Sequence, residues 1–278
     1  MEEFLMSVGI RLHDVAPGTL EERVQRAKDQ GFECIHLALS KVISPALMEP
    51  AAATCGLADY VRHAVDGLDI AVLGCYLQLT QEDDAAYRKV LDKYIAHLRL
   101  AGWMGAGVVG TETPANNLEL SKRHSEDTLK LFIDRLHPVV EAAEKLGQII
   151  AVEPVFTHVV SDAKRARRML DEINSPNLRI IFDPVNLLHE TNLDRRDAVL
   201  QEAVELLGEE TQVLHLKDYV LENGKIRSCA PGIGLMNYES FMPYIREHKP
   251  YLHVTLEDTT PADAEQSGIF TKKLIRGN

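Results

Sequence analysis

Cysteine, aromatic side chains and basic charge are all scarce in this chain of 278 residues. Its four cysteines, Cys34, Cys55, Cys75 and Cys229, show no Cys-x-x-Cys spacing. That spacing gives little support to zinc knuckles or a disulfide framework, and reduced thiols are expected. Lys and Arg number 30 against 42 Asp and Glu, leaving a formal charge of -12, and no basic patch is interleaved with aromatics. That balance argues against nucleic acid and anionic membrane as partners. No apolar run is long enough to span a bilayer, and Met1-Glu2-Glu3 lacks the positive start of a signal peptide, so a cytoplasmic location is expected. No linker or low-complexity stretch divides the sequence, and one domain over residues 1–278 is the expectation.

What the chain does have is an alternation of short apolar runs with long amphipathic segments. Runs at Val8 to Leu12, Cys34 to Leu39, Ile70 to Tyr76, Gly107 to Gly110, Ile149 to Val152, Leu178 to Phe182, Gln212 to Leu216 and Leu252 to Leu256 read as strands. Between them fall helical patterns. Thr19 and Glu22 form a capping box ahead of Leu20, Val24 and Ala27. Leu129, Phe132, Ile133, Leu136, Val139, Val140, Ala143 and Leu146 keep helical spacing up to Gly147, with Pro138 expected to kink that helix. Further helices are predicted near Leu57 to Val65, Asp83 to Leu100, Ala163 to Ile173, Leu193 to Leu207, Tyr238 to Arg246 and Ala262 to Leu274. Eight β/α units at this length predict an α/β fold, the (β/α)8 TIM barrel. Trp103, at a helix end, is expected to pack.

Four of the runs end on a polar residue: Glu153 after Val152, Asp183 after Phe182, His215 after Leu214 and Glu257 after Leu256. In a parallel barrel the C-terminal strand ends converge on one rim, where chemistry is placed. Period-two alternation puts Glu153, Ala151 and Ile149 on one face, and Glu257, Thr255 and His253 on another, so one inward ligand per strand is permitted. Three carboxylates and an imidazole suit Mn²⁺, the expected ion, and also Mg²⁺ or Co²⁺, with Zn²⁺ accommodated too. Such a metal would chelate neighbouring sugar oxygens and stabilise the charge formed when a carbon-bound proton leaves. Glu153 and Glu257 each keep a second oxygen, which makes them the candidate acid/base pair on either side of an enediolate.

Val152-Glu153-Pro154, Phe182-Asp183-Pro184-Val185-Asn186, His215-Leu216-Lys217-Asp218, Pro231-Gly232-Ile233-Gly234 with Tyr238, and Leu256-Glu257-Asp258 occur in that order at the strand ends. In these the chain resembles the xylose isomerase-like (AP endonuclease family 2) barrels, a group of sugar isomerases, epimerases and inosose dehydratases, over nearly its whole length. The resemblance implies a metal bound by Glu153, Asp183, His215 and Glu257, with both Glu residues catalytic. It also implies a sugar or sugar derivative as substrate and a homo-oligomer, dimer or tetramer. Ketose 3-epimerases of the group carry a His where this chain has Asn186 and an Arg where it has Leu221. The resemblance therefore implies the shared proton abstraction more firmly than any one product, and a lyase that dehydrates an inosose or cleaves a 3-keto-glycoside or C-glycoside is its alternative.

Substrate contacts are expected from Glu112, Asn186, Lys217, His189, Arg227 and His13, all near predicted strand ends or the loops after them. His158 is a weaker candidate, and Lys217 is also able simply to pair with Asp218 or another acid, although its rim position favours a substrate contact. Gly232 and Gly234 would allow a tight loop able to admit a phosphate. A DNA-repair endonuclease of the same group would need more His and acidic ligands for three zinc ions and a basic rim, and the sequence has neither. A non-catalytic sugar-binding protein would need no metal set at all.

Overall fold

In the computed structural model, which describes residues 6–277, eight parallel strands close into a barrel. In chain order the elements are β1 (Ser7–Arg11), α1 (Leu20–Asp29), β2 (Cys34–Leu37), α2 (Leu39–Val42), α3 (Cys55–Val65), β3 (Asp69–Gly74), α4 (Asp84–Met104), β4 (Val108–Thr111), α5 (Leu120–Arg123), α6 (Glu126–Leu146), β5 (Ile150–Val152), α7 (Ala163–Ile173), β6 (Leu178–Phe182), α8 (Arg196–Leu207), β7 (Thr211–Leu216), β8 (Asp218–Glu222), β9 (Lys225–Cys229), α9 (Met242–His248), β10 (His253–Leu256) and α10 (Ala264–Arg276). The barrel runs β1-β10-β7-β6-β5-β4-β3-β2 and closes between β2 and β1. The predicted (β/α)8 TIM barrel is thus the fold.

Local chemistry sets the helix limits. Thr19 and Glu22 cap α1 reciprocally, as expected from their spacing. Gly105 and Gly147 end α4 and α6 in left-handed conformations that cost glycine nothing. α6 continues through Pro138 as one 21-residue element. Leu39, read as strand, instead opens the one-turn α2, because Leu37 is the last residue of β2. Trp103 does not pack as expected: it is 42% exposed on α4.

Two apolar layers result. Leu, Ile, Val and Phe on the outward strand faces pack under the helices. Inside the barrel a smaller cluster joins Cys34, Val72, Val108, Ala151, Ile181 and Val213, with Ile149 against it. These inward residues fix the phase of every strand, and hence what points inward two residues later.

The departure from the predicted plan is a two-stranded antiparallel hairpin, β8–β9, inserted directly after β7. Its turn is Asn223-Gly224, both with positive φ (52° and 77°), the geometry a two-residue hairpin loop requires. Among the described residues no helix is long and apolar enough to cross a membrane.

Candidate metal centre

Two residues beyond the inner cluster, the strands' inward faces turn polar. Glu153 follows Ala151, Asp183 follows Ile181, His215 follows Val213 and Glu257 follows Thr255, each in the same phase. The ladder carries on past β5 and β10 to hold them, with Glu153 N donating to Thr111 O at 2.8 Å and Glu257 N to Leu216 O at 3.0 Å. All four side chains are buried, and one ligand atom from each falls within 4.8 Å of the others. His36, His215 and Glu257 form a second, overlapping trio of the same kind.

His215 is the pivot. Its Nδ1 lies 3.1 Å from Glu153 Oε2 and 3.2 Å from Glu257 Oε1. Neither ring nitrogen makes a hydrogen bond of proper geometry, nor does Asp183 Oδ2. Buried polar atoms without partners are costly, and a cation among them removes the cost. One nitrogen and three carboxylate groups converging there, the nitrogen and Asp183 Oδ2 without hydrogen-bond partners, fit a divalent ion. Burial disfavours the charge on His215, but Glu257 and Glu153 outweigh it and raise the imidazole to about 9. Glu257 is also buried against its charge, yet His215, Lys217, His36 and Arg11 hold it well below the usual carboxylate range.

The surrounding side chains fix these groups. Asp183 Oδ1 accepts from Val185 N at 2.9 Å and Asn186 N at 3.1 Å, because the chain turns tightly after β6. Asn186 Nδ2 donates to Glu153 Oε1 at 2.5 Å. Lys217 sits 2.9 Å from Asp183 Oδ2, 3.3 Å from Glu257 Oε2 and 3.9 Å from Asp258 Oδ2. Burial works against its ammonium, and those carboxylates keep it protonated.

Glu112 stands on β4's inward side, with Oε2 at 3.4 Å from His158 Nδ1. Burial, then the charges of Glu153 and Glu257, push its carboxyl up to about 8, and burial lowers His158 to about 4. Burial thus works against the charged form of both groups. His13 lies at the edge of the cluster, edge-on to His36 at 6.1 Å and 3.4 Å from Lys41 Nζ. His189 sits farther out, its ring stacked on Phe156.

Arg227 is the sequence-predicted residue that the fold does not bring to the cluster. On β9 it alternates with Ile226 and Ser228, and it pairs with Glu222 on the hairpin's outer face, with 56% of its side chain exposed.

Lys217 also does not pair with Asp218. Asp218 points the other way and accepts from the backbone N–H groups of Tyr219, Gly232, Gly234 and Met236, at 2.7 to 3.2 Å, and from the Tyr238 hydroxyl at 3.1 Å. Those donors are spent on the carboxylate, so the Pro-Gly-x-Gly loop is a clamp and does not present them to a phosphate. A Cβ at Gly234 would lie 2.3 Å from Tyr219 O, which is why glycine stands there. Asp218→Ala is expected to lower stability by about 2 to 4 kcal/mol, since several N–H groups lose one shared acceptor. Urea unfolding checks it; a loss under about 0.5 kcal/mol, the level of an ordinary surface change, would show the clamp to be dispensable.

Arg11 and His36 complete the inward ring and were not anticipated. Arg11 reaches Glu257 Oε2 at 3.3 Å, Asp14 at 2.9 Å and Asp258 at 2.6 Å. His36 stacks on His215 at 5.2 Å, lies 3.7 Å from Glu257 Oε1 through Nδ1 and meets the Tyr76 hydroxyl at 3.0 Å through Nε2.

A family model described as xylose isomerase-like TIM barrel matches residues 24–274. The chain belongs to that family. No curated protein matches it. Among solved structures it is similar to the apo 3-keto-D-glucoside 4-epimerase of E. coli, with TM-score 0.73 and 16% identity over 98% of this chain and 100% of the other. A D-tagatose 3-epimerase-like protein gives 0.75 and 15% over 98% and 97%. The IolI protein with a bound zinc atom gives 0.74 and 15% over 97% and 98%. At such identities the likeness is one of fold.

Proposed function

We propose that this family member is a divalent-metal-dependent sugar isomerase or epimerase that takes a proton from carbon beside a carbonyl and returns it. The observation that carries the reading is the buried convergence of Glu153, Asp183, His215 and Glu257 at the barrel's C-terminal mouth. An ion held by these four supplies Lewis-acid stabilisation of negative charge on the substrate's oxygens.

The chain's own residues move the proton. Glu153 is oriented by Asn186 and Glu257 by Arg11, Lys217 and His36, so the two carboxylates approach His215 Nδ1 from separate strands. One removes the proton and the other returns it, to the same carbon in an epimerisation or to its neighbour in an isomerisation. Lys217, held as an ammonium, adds fixed positive charge where a substrate oxygen becomes anionic. The likeness in fold to the 3-keto-D-glucoside 4-epimerase and the D-tagatose 3-epimerase-like protein supports a carbohydrate substrate. Mn²⁺ remains the expected ion.

Glu112 favours a second reading, elimination. Beside His158 and with its carboxyl raised by burial, it is placed to give a proton to a departing hydroxyl or aglycone, which a lyase needs and an epimerase does not.

Solvent exchange tests the common step. The Mn²⁺-loaded protein in D₂O is expected to place deuterium on carbon in a member of a panel of ketoses, keto-inositols and 3-keto-glycosides, read by mass spectrometry. A deuterated stereoisomer identifies an epimerase, an aldose–ketose pair an isomerase, and loss of water or aglycone a lyase. No exchange in any panel member by protein that holds its metal overturns the reading.

A further inference from the structure

Beside the proposed reaction centre the rim carries a concavity of about 320 Å³ that proton transfer does not use. It lies between the loop after β5, the loop after β6 and the inner edge of β9. Asn186 joins it to the centre, because the same side chain that lines the concavity donates to Glu153. Asn186 is thus shared by the concavity and the centre, which makes the two neighbours on the rim.

The walls are unlike one another. Phe156 and His189, stacked with centroids 4.3 Å apart and ring planes at 10°, form the aromatic part of the lining. Ile226, on β9, supplies an aliphatic wall. Thr157, Glu190 and Ser228 put polar atoms around the edge. Backbone hydrogen bonds fix the segments: Phe156 N to Asn186 O at 2.7 Å, and Ile226 N to Glu190 Oε1 at 2.8 Å. The second of these ties the hairpin to the β6 loop and holds Ile226 in place.

We propose that this concavity is a subsite for a second pyranose ring, joined through a glycosidic bond to the sugar that reacts. A pyranose has apolar C–H faces and a belt of hydroxyls, which matches an aromatic and an aliphatic wall with polar atoms around them. A free monosaccharide would leave the subsite to water. The substrate class is then a glycoside, an inference that rests on the reading of the neighbouring centre as a sugar site. The hairpin thereby acquires a role, since Ile226 and Ser228 face the subsite while Arg227 faces away.

Binding without turnover tests this. Calorimetry on the Mn²⁺-loaded protein would compare methyl β-D-glucoside, phenyl β-D-glucoside and a set of glucosyl disaccharides of different linkage. At least one disaccharide is expected to bind about tenfold tighter than the methyl glycoside, the worth of one stacked ring. Phe156→Ala and Ile226→Ser, from different segments, should each bring that ratio close to one, so that poor folding of one variant leaves the other readable. Equal affinities in the wild type, or a preference that both variants retain, overturns the subsite. A preference for the phenyl glycoside alone overturns the second pyranose. Solvent exchange into a monosaccharide with no ring preference leaves the proposed function standing and removes the subsite. A wall-dependent ring preference in a protein that exchanges nothing does the reverse, and failure of every glycoside to bind removes the subsite too.

Discussion

His215→Ala is expected to strip the protein of its divalent ion. The wild type should carry one ion per chain, and the variant's affinity should fall by more than about 100-fold, because loss of even a supporting partner outside the ligand set costs 10–100-fold. The geometry explains the size of the effect. His215 is the nitrogen donor that lies between Glu153 and Glu257, at 3.1 and 3.2 Å, and its removal leaves three carboxylates to gather a cation that nothing aligns. Stability should follow the metal. At an ion concentration about a thousandfold above Kd, binding adds about 4 kcal/mol to the folded state. For a chain of this size that raises the melting temperature by roughly 10 °C. In His215→Ala, with Kd raised 100-fold or more, the same ion concentration should add at most about 1.4 kcal/mol and raise the melting temperature by no more than about 4 °C. Elemental analysis and thermal melts with and without chelator decide between outcomes. Full occupancy in the variant would remove His215 from the ligand set, and a wild type that takes up none of Mn²⁺, Mg²⁺, Co²⁺ or Zn²⁺ would end the proposed centre.

Glu153, Asp183 and Glu257 are visible in the sequence because each closes an apolar run, while His215, between Leu214 and Leu216 inside β7, is marked by the His-Leu-Lys-Asp run it opens. Val152, Phe182, Leu214 and Leu256 face outward into the helix layer, so the next residue inward is the first one free to be polar. Arg11 and His36 obey the same two-residue rule, following Gly9 and Cys34. They escape notice for a physical reason. His36 lies between Ile35 and Leu37, inside a run that reads as continuous core, and Arg11 between Ile10 and Leu12. Alternation counted from the small inward residues, instead of from the end of the run, would have marked both.

The hairpin hides differently. β8 and β9 expose four of their ten residues and hold only the short apolar run Tyr219-Val220-Leu221, and the signal was Asn223-Gly224, a turn dipeptide between two short segments. Missing it places Arg227 on a loop that is free to turn inward, whereas a strand assigns it a face. Asp218 illustrates a further limit. Adjacent in sequence to Lys217, it belongs to the opposite side of the backbone, and its role depends on a loop sixteen residues on that spacing alone does not bring back to it.

Glu153→Gln should lower solvent exchange at carbon by about 10²- to 10⁴-fold, the range that a positioned acid/base group contributes, while the metal stays bound. The prediction turns on what each Glu touches. Glu153 meets Asn186 and His215 but no Lys or Arg within salt-bridge distance, so Gln at position 153 keeps its oxygen toward the ion while its NH₂ donates to a flipped Asn186 amide, and only the basicity is lost. Glu257 is different, because Arg11, Lys217 and His36 all converge on its two oxygens. Glu257→Gln sets an NH₂ group against one of those donors and leaves cationic side chains in a buried site with one anion fewer. That variant should therefore lose exchange and also bind metal more weakly, so the two substitutions separate a base from a base that is also an electrostatic anchor. Exchange rates measured alongside metal content, in both variants and on one substrate, would reveal the asymmetry. Wild-type exchange in both variants would remove the two carboxylates from the chemistry. Equal metal loss in both would mean that the cations around Glu257 do not matter to the ion, and that the site's charge balance lies with Asp183 and His215 instead.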